Sequence, residues 1–190
     1  MLQSKILTKP FCFTLLGIAF VYGLVLPFCW GNNPSDELGT LSLLCEDRKI
    51  WFWIWGLLMS GSVVCNVQYM YKKYEYKNKF FDALCVLSLI SVVCIALTLG
   101  HSIADWNPKR ILHWIATGVF IVVTLASIVL FFLVNIKKHR HFPIYFACSV
   151  LIILTFALIF GLVGKSALME MIPMAMMQIL LFAVNSKKNL

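Results

Sequence analysis

Long runs of apolar residues, separated by short polar connectors, dominate the pattern of this chain. Each run has about 19 to 26 residues, close to the roughly 20 that a helix needs to cross a bilayer. Backbone groups find no water partner in the hydrocarbon region, so each run is expected to be helical. The six predicted helices are Phe11–Trp30, Ile50–Tyr71, Phe80–Gly100, Ile111–Ile136, Phe142–Val163 and Ser166–Val184.

The composition favours a membrane protein over a soluble domain. The chain is 61% hydrophobic and 13% charged, whereas a soluble domain is about half apolar and a quarter charged. A folded chain of 190 residues still exposes much of its surface, so one core cannot hide this excess. The sequence therefore predicts an all-α, polytopic membrane protein in which residues 1–190 form a single transmembrane domain.

The distribution of Lys and Arg gives the predicted helices an orientation, because loops rich in these residues stay in the cytoplasm. All six tryptophans map to one predicted boundary and five of the six tyrosines to the other, as interface residues do. We therefore expect both termini in the cytoplasm, and a bacterial plasma membrane as the location. Eleven of the sixteen cations lie on the predicted inner side: Lys5, Lys9, Lys72, Lys73, Lys77, Lys79, Lys137, Lys138, Arg140, Lys187 and Lys188.

The net charge of +8 is spread over these clusters and forms no single patch, so nucleic-acid binding is not expected. Clusters of this kind attract anionic lipids of the inner leaflet, with about 1 kcal/mol contributed by each cation. The residues expected to contact such lipids are Lys72, Lys73, Lys137, Lys138 and Arg140.

Small residues recur at four-residue spacing in two predicted helices, Gly56 with Ser60 and Ala157 with Gly161. This spacing lets two helices approach closely. Two interpretations stay open. The contacts pack the bundle internally, or they form a seam with a second copy or another membrane protein.

Four ionisable residues are predicted to gather at the outer end of the bundle. His101 and Asp105 follow the third helix, His113 lies one turn into the fourth, and Glu170 lies one turn into the sixth. Two imidazoles and two carboxylates suit a zinc site, or an acid and a base acting on a lipid head group. The alternative is structural: solvated side chains, with Glu170 paired to Lys165. The chain has no HExxH or GxSxG motif.

The seven cysteines show no zinc or redox spacing. Cys29 and Cys45 are predicted at the two ends of the first outer connector. They form either a disulfide or two reduced, buried thiols, and the odd total leaves at least one thiol free.

Three features follow one another in a recognisable order. A polar connector runs from Asn33 to Ser42, a histidine opens the fourth helix in Leu112-His113-Trp114-Ile115-Ala116 before Phe120, and Glu170 opens the sixth. With six helices and short loops, this resembles the DRAM-like membrane proteins, the damage-regulated autophagy modulators and their uncharacterised bacterial relatives. Trp114 stands where that family has Asn. The resemblance spans nearly the whole chain and implies a non-enzymatic membrane protein without an established catalytic residue.

The expected function is therefore non-enzymatic contact with lipid or with a membrane protein partner. One alternative is a channel or transporter for a small solute or an ion. Two features of the sequence disfavour it: the first, second and fifth helices have no charged residue in their middles, and no polar stripe lines a route through the bundle. The other is a metal-dependent membrane hydrolase with an outward-facing site that uses zinc. Its residues are His101, Asp105, His113 and Glu170.

Overall fold

The structure, a computed structural model, describes residues 7–31, 41, 45, 48–98, 108–164 and 166–187. Within these ranges it is all-α, and six helices are each long and apolar enough to cross a membrane. This confirms the prediction of six such helices and fits a multi-pass membrane protein. The elements are α1 (Lys9–Val25), a 3-10 segment (Leu26–Gly31), α2 (Lys49–Lys73), α3 (Lys79–Leu97), α4 (Pro108–Val134), α5 (Phe142–Val163) and α6 (Ala167–Ser186).

The C-terminal α-helical ends of the first and third helices lie furthest from the predicted ones. The first apolar run was expected to be helical through Trp30; its α-helix ends at Val25 and continues as a 3-10 helix from Leu26 to Gly31. Pro27 lies in this 3-10 helix, and a proline lacks the N–H that an α-helix needs and clashes with the preceding turn. The third helix ends at Leu97. Positions 99 and 100 of its predicted range lie outside the described residues.

Successive helices alternate in direction, so the bundle has two ends. At the end that we call terminal, the start of α1 meets the end of α6, where Lys9 Nζ donates to the Ser186 carbonyl over 3.2 Å. At the opposite, distal end, the Tyr22 hydroxyl donates to the Trp51 carbonyl over 3.0 Å. Because the number of helices is even, the start of the first helix and the end of the last lie at the same end of the bundle.

Helices that follow each other in sequence pack side by side, and α6 closes the ring against α1. Helix α6 also packs along α2, so α1, α2 and α6 form one three-helix unit. Helix α5 is the least buried of the six, and Leu162 near its distal end is 76% exposed. The arrangement leaves interior space between α2, α3, α4, α5 and α6.

The two small-residue pairs differ in their surroundings. A Cβ added at Gly56 would lie 3.7 Å from Val92 Cγ1, so Gly56 faces α3 inside the bundle. A Cβ added at Gly161 meets nothing within 4 Å, and Ala157 is exposed on the same helix. Among the described residues, Gly161 therefore does not pack against another helix of the chain.

Aromatic side chains fill the terminal half of the bundle. The ring of Tyr71 lies 5.2 Å from that of Phe131 and 5.7 Å from that of Phe81, and Phe142 lies 5.6 Å from Phe131. The Tyr71 hydroxyl donates to the Ser127 carbonyl. This core closes the terminal half, and the interior space lies in the distal half.

Candidate functional site

The distal half of the bundle holds a cavity of about 240 Å³. Side chains from five helices, α2 to α6, form its wall. Most of this wall is hydrocarbon or aromatic, and its polar side chains include His113, Thr117, Thr124 and Glu170. The large apolar side chains around the cavity include Phe52, Trp55, Phe120, Phe156, Met174 and Met177.

Glu170 lies in the first turn of α6 and faces this cavity. Its Oε2 accepts a hydrogen bond from the backbone N–H of Leu41 over 3.1 Å. Across the described part of the chain, this is the one hydrogen bond that Glu170 makes, and no basic side chain pairs with it. Lys165, the partner proposed from the sequence, lies outside the described residues. Glu170 is therefore a carboxylate with a single donor, set in a largely apolar wall.

His113 lies near the start of α4 and lines the same cavity. Its Nδ1 is 3.2 Å from the Thr98 hydroxyl at the end of α3. One turn further along α4, the Thr117 hydroxyl donates to the His113 carbonyl over 2.8 Å. The imidazole is thus held where α3 meets α4. Glu170 lies on α6, and α5 packs between α4 and α6.

The four residues proposed from the sequence are only partly accounted for. His113 and Glu170 line one cavity, whereas His101 and Asp105 lie outside the described residues. In the described ranges, no group of three or more His, Cys, Asp or Glu side chains is placed to hold a metal ion. A zinc site, which takes four ligands in structural centres and three plus water in catalytic ones, therefore stays a prediction that depends on His101 and Asp105.

Two residues between the 3-10 segment and α2 are buried at the distal end. Leu41 is 0% exposed and Cys45 is 1% exposed, and both pack in a cluster with Phe52 and Ile95. Phe52 and Ile95 also line the cavity. This part of the connector therefore supports the distal wall of the cavity and supplies the donor to Glu170.

The thiols of Cys29 and Cys45 are both free in the structure. Burial raises the pKa of the Cys45 thiol from 9.0 to about 11, and the neighbouring Cys29 and Glu170 add to the rise. Cys45 is therefore a neutral thiol at physiological pH. A disulfide between the two cysteines stays a prediction.

Sequence reasoning missed a seam of hydroxyl side chains between α3 and α4. The hydroxyls of Ser88 and Thr124 lie 2.8 Å apart and are buried. Ser91, one turn from Ser88, is also buried and bonds to a carbonyl of its own helix. The sequence held a signal for it. Ser88 and Ser91 are three positions apart in α3, and Thr117 and Thr124 are seven apart in α4, so each pair shares one helix face. Thr124 also lines the cavity, so the seam reaches its wall.

The basic residues expected to contact anionic lipid have different surroundings. Lys73 Nζ donates to the Val184 carbonyl at the end of α6 over 2.7 Å, and Lys72 Nζ donates to the Leu7 carbonyl over 3.4 Å. Cations at a helix C-terminus stabilise its unpaired carbonyls. The three remaining side chains are exposed at the terminal end: Lys137, Lys138 and Arg140.

Comparison with protein-family models, curated proteins and solved structures finds no match for this chain, so its resemblance to the DRAM-like membrane proteins stays a prediction.

Proposed function

We propose that this chain is a non-enzymatic membrane protein that binds one molecule with an apolar chain in its distal cavity. Ligand sites are typically concave and mostly apolar, with a few polar groups that orient the ligand. The cavity between α2 and α6 has this character, and its volume of about 240 Å³ suits a single chain or a compact ring system. The polar end of the ligand lies near Glu170 and His113.

The observation that carries this proposal is the position of Glu170 on a largely apolar wall. A buried polar group without a partner costs free energy, and a charged group costs more. An ionisable residue within a membrane helix is therefore a functional residue by default. The single hydrogen bond from Leu41 satisfies only part of the carboxylate's capacity, which leaves a ligand group to satisfy the rest.

The test is photoaffinity labelling of the purified protein in phosphatidylcholine nanodiscs. The probe is a twelve-carbon alcohol that carries a diazirine in its chain, so its head group is neutral. We expect crosslinks on cavity residues of α4 and α6, for example Phe120, Met174 and Met177, mapped by peptide mass spectrometry.

Matched variants separate the cavity from the lipid-facing surface. Gly56 lines the cavity, so Gly56→Leu should fill part of it and reduce the crosslinks at Phe120 and Met174. Gly118→Leu adds the same volume where a Cβ meets nothing within 4 Å and should leave them unchanged. Thr117→Met is a second filling variant, since the Thr117 hydroxyl bonds only within its own helix. Crosslinks confined to exposed residues such as Leu162, or insensitive to both filling variants, would refute the proposal.

The two alternative functions make different demands. A channel or transporter needs the cavity to continue through the aromatic core around Tyr71 and Phe131. A zinc hydrolase needs His101 and Asp105 to join His113 and Glu170. Elemental analysis of purified protein tests the hydrolase, because one zinc per chain that is lost in His113→Ala would support it.

We further infer that the terminal end faces the cytoplasm of a bacterial cell, across its plasma membrane. What supports this is the excess of Lys and Arg at that end, which is the usual determinant of membrane orientation. Exposed Lys137, Lys138 and Arg140 are then the contacts for anionic lipid. A green fluorescent protein fused after residue 190 should fluoresce in bacterial cells, and alkaline phosphatase at the same position should be inactive. The reverse pattern would overturn the orientation.

A further inference from the structure

We propose that the ligand's head group is a protonated amine, attached to an apolar chain, for which Glu170 is the counter-ion. This inference rests on the proposed ligand-binding function and adds the chemical class of the ligand. It starts from the charges on the cavity wall. Among the described residues that line it, Glu170 is the one acidic side chain, and none is Lys or Arg.

A carboxylate in apolar surroundings is stable when it is both paired with a positive charge and hydrogen-bonded. The hydrogen bond from Leu41 comes from a neutral backbone group, and none of the described residues that line the cavity is a Lys or Arg that could supply the positive charge. An ammonium group supplies that charge together with three N–H donors. A hydroxyl supplies one donor and no charge, and a carboxylate head group is repelled.

The position of Glu170 also gives the ligand a direction. Glu170 lies at the distal end of the cavity, in the first turn of α6, and Met177 lies two turns further along the same helix. Seven residues of helix span about 10 Å. With its ammonium on Glu170, a chain of medium length would extend past Met174 towards Met177 and Thr124 in the middle of the bundle.

His113 provides a second polar contact on another wall. Its ring is fixed by the Thr98 hydroxyl at Nδ1, and the ring lines the cavity from α4. Glu170 and His113 therefore place polar side chains on two different walls of the same cavity.

Two sources share this chemistry, a free long-chain amine and the ammonium end of a membrane lipid such as phosphatidylethanolamine. The lipid carries a phosphate beside its ammonium. That negative charge would lie close to Glu170, which favours the free amine.

The experiment measures competition against the neutral alcohol probe in phosphatidylcholine nanodiscs at neutral pH. The competitors are three twelve-carbon compounds: dodecylamine, dodecanol and dodecanoate. Hydrogen bonds to charged groups are stronger than neutral ones, and the difference corresponds to about tenfold in binding. We therefore expect dodecylamine to compete about tenfold better than dodecanol, and dodecanoate to compete least.

Three variants assign this preference to Glu170. Glu170→Gln keeps an acceptor for the Leu41 N–H but removes the charge, so it should abolish the advantage of dodecylamine over dodecanol. Glu170→Asp keeps the charge and should retain the preference. Glu75→Gln makes the same chemical change at an exposed position of the terminal end and should have no effect.

The outcomes separate the two proposals. Cavity crosslinks with equal competition by all three compounds would overturn the amine head group and leave the binding function standing. An amine advantage that survives in Glu170→Gln overturns the assignment to Glu170. An absence of cavity crosslinks refutes the binding function itself. Nanodiscs that contain phosphatidylethanolamine identify the source: weaker competition by dodecylamine assigns the lipid ammonium, and unchanged competition assigns the free amine.

Discussion

The side-chain amide of Asn185 in α6 donates to the backbone carbonyl of Asn66 in α2 over 3.0 Å, and to Asn66 Oδ1 over 3.2 Å. The amide of Asn66 in turn donates to the Cys12 carbonyl in α1 over 3.0 Å. Both asparagines are buried. Two side chains therefore join the three helices of the α1–α2–α6 unit by hydrogen bonds where no water competes.

Replacing either asparagine by leucine should weaken this unit. Hydrogen bonds between membrane helices contribute about 1–2 kcal/mol at most, so Asn185→Leu should lower the free energy of unfolding by about 1 kcal/mol. Asn66→Leu removes the side-chain bonds to Cys12 and Asn185 but keeps the backbone carbonyl that Asn185 also contacts, so it should cost a similar amount. The measurement is the unfolding free energy in detergent micelles.

Asn135 offers a matched control for this pair. It directly follows α4 and is also buried, but its amide bonds only to the Phe131 carbonyl of α4, four residues earlier, over 2.7 Å. Asn135→Leu should therefore cost less than Asn66→Leu. If the two variants were equally stable, the contact between helices would contribute nothing.

Gly23 of α1 lies at a close contact with α2. A Cβ at this position would lie 3.1 Å from Met59 Cε and 3.3 Å from Met59 Sδ. The flexible methionine can yield to one methyl group, so Gly23→Ala should be tolerated. Gly23→Leu should lower the free energy of unfolding by about 1–3 kcal/mol, because overpacking forces helices apart. Tryptophan fluorescence during thermal unfolding measures the change.

The control lies six residues earlier in α1. A Cβ at Gly17 meets nothing within 4 Å, so Gly17→Leu should leave the unfolding temperature unchanged. If Gly17→Leu lowered stability as much as Gly23→Leu, the effect would come from leucine within α1 and not from the contact of Gly23 with α2.

The hydroxyl pair of Ser88 and Thr124 should behave as a coupled unit. We expect a double-mutant cycle of Ser88→Ala and Thr124→Val to give a coupling energy of about 0.6 kcal/mol, and not more than about 1.7 kcal/mol. Ser91→Ala is the control, because the Ser91 hydroxyl bonds only to the Leu87 carbonyl of its own helix. Paired with Thr124→Val, it should show additive effects. A coupling energy of zero for Ser88 and Thr124 would show that the contact between their hydroxyls does not stabilise the protein.

The reactivity of Cys45 should depend steeply on pH. The thiolate is the nucleophile, and the pKa of this thiol is raised from 9.0 to about 11. In reduced protein, alkylation by N-ethylmaleimide should therefore be slow at neutral pH and rise towards pH 11. The unfolded chain loses this proton near pH 9.0, so the stability that the buried neutral thiol contributes is present below that pH and declines as the pH rises to about 11.

Peptide mass spectrometry of the alkylated protein follows each cysteine separately. Rapid labelling of Cys45 at neutral pH would show that the thiol is accessible and that its pKa is not raised. Digestion without reductant tests the disulfide in the same samples, because a Cys29–Cys45 bond would yield one joined peptide.

The sequence by itself determined the helices. Helix α5 begins and ends at the two residues that the apolar run predicts, Phe142 and Val163. Length and hydropathy suffice for this, because a backbone in lipid must satisfy its own hydrogen bonds and a helix does so within one segment. The change from α-helix to 3-10 helix after Val25 has a local cause, since Pro27 counts as apolar but has no N–H to donate to an α-helical hydrogen bond.

Only the tertiary structure decided what those helices bring together. Glu170 and Leu41 are 129 positions apart in the chain, and no periodicity relates them. Ser88 and Thr124 could each have bonded to a carbonyl of its own helix, as Ser91 does, so their pairing follows from the contact of α3 with α4. A helix's own pattern shows which faces are apolar. Which faces meet, and whether a cavity lies between them, depends on side-chain volumes from several helices at once.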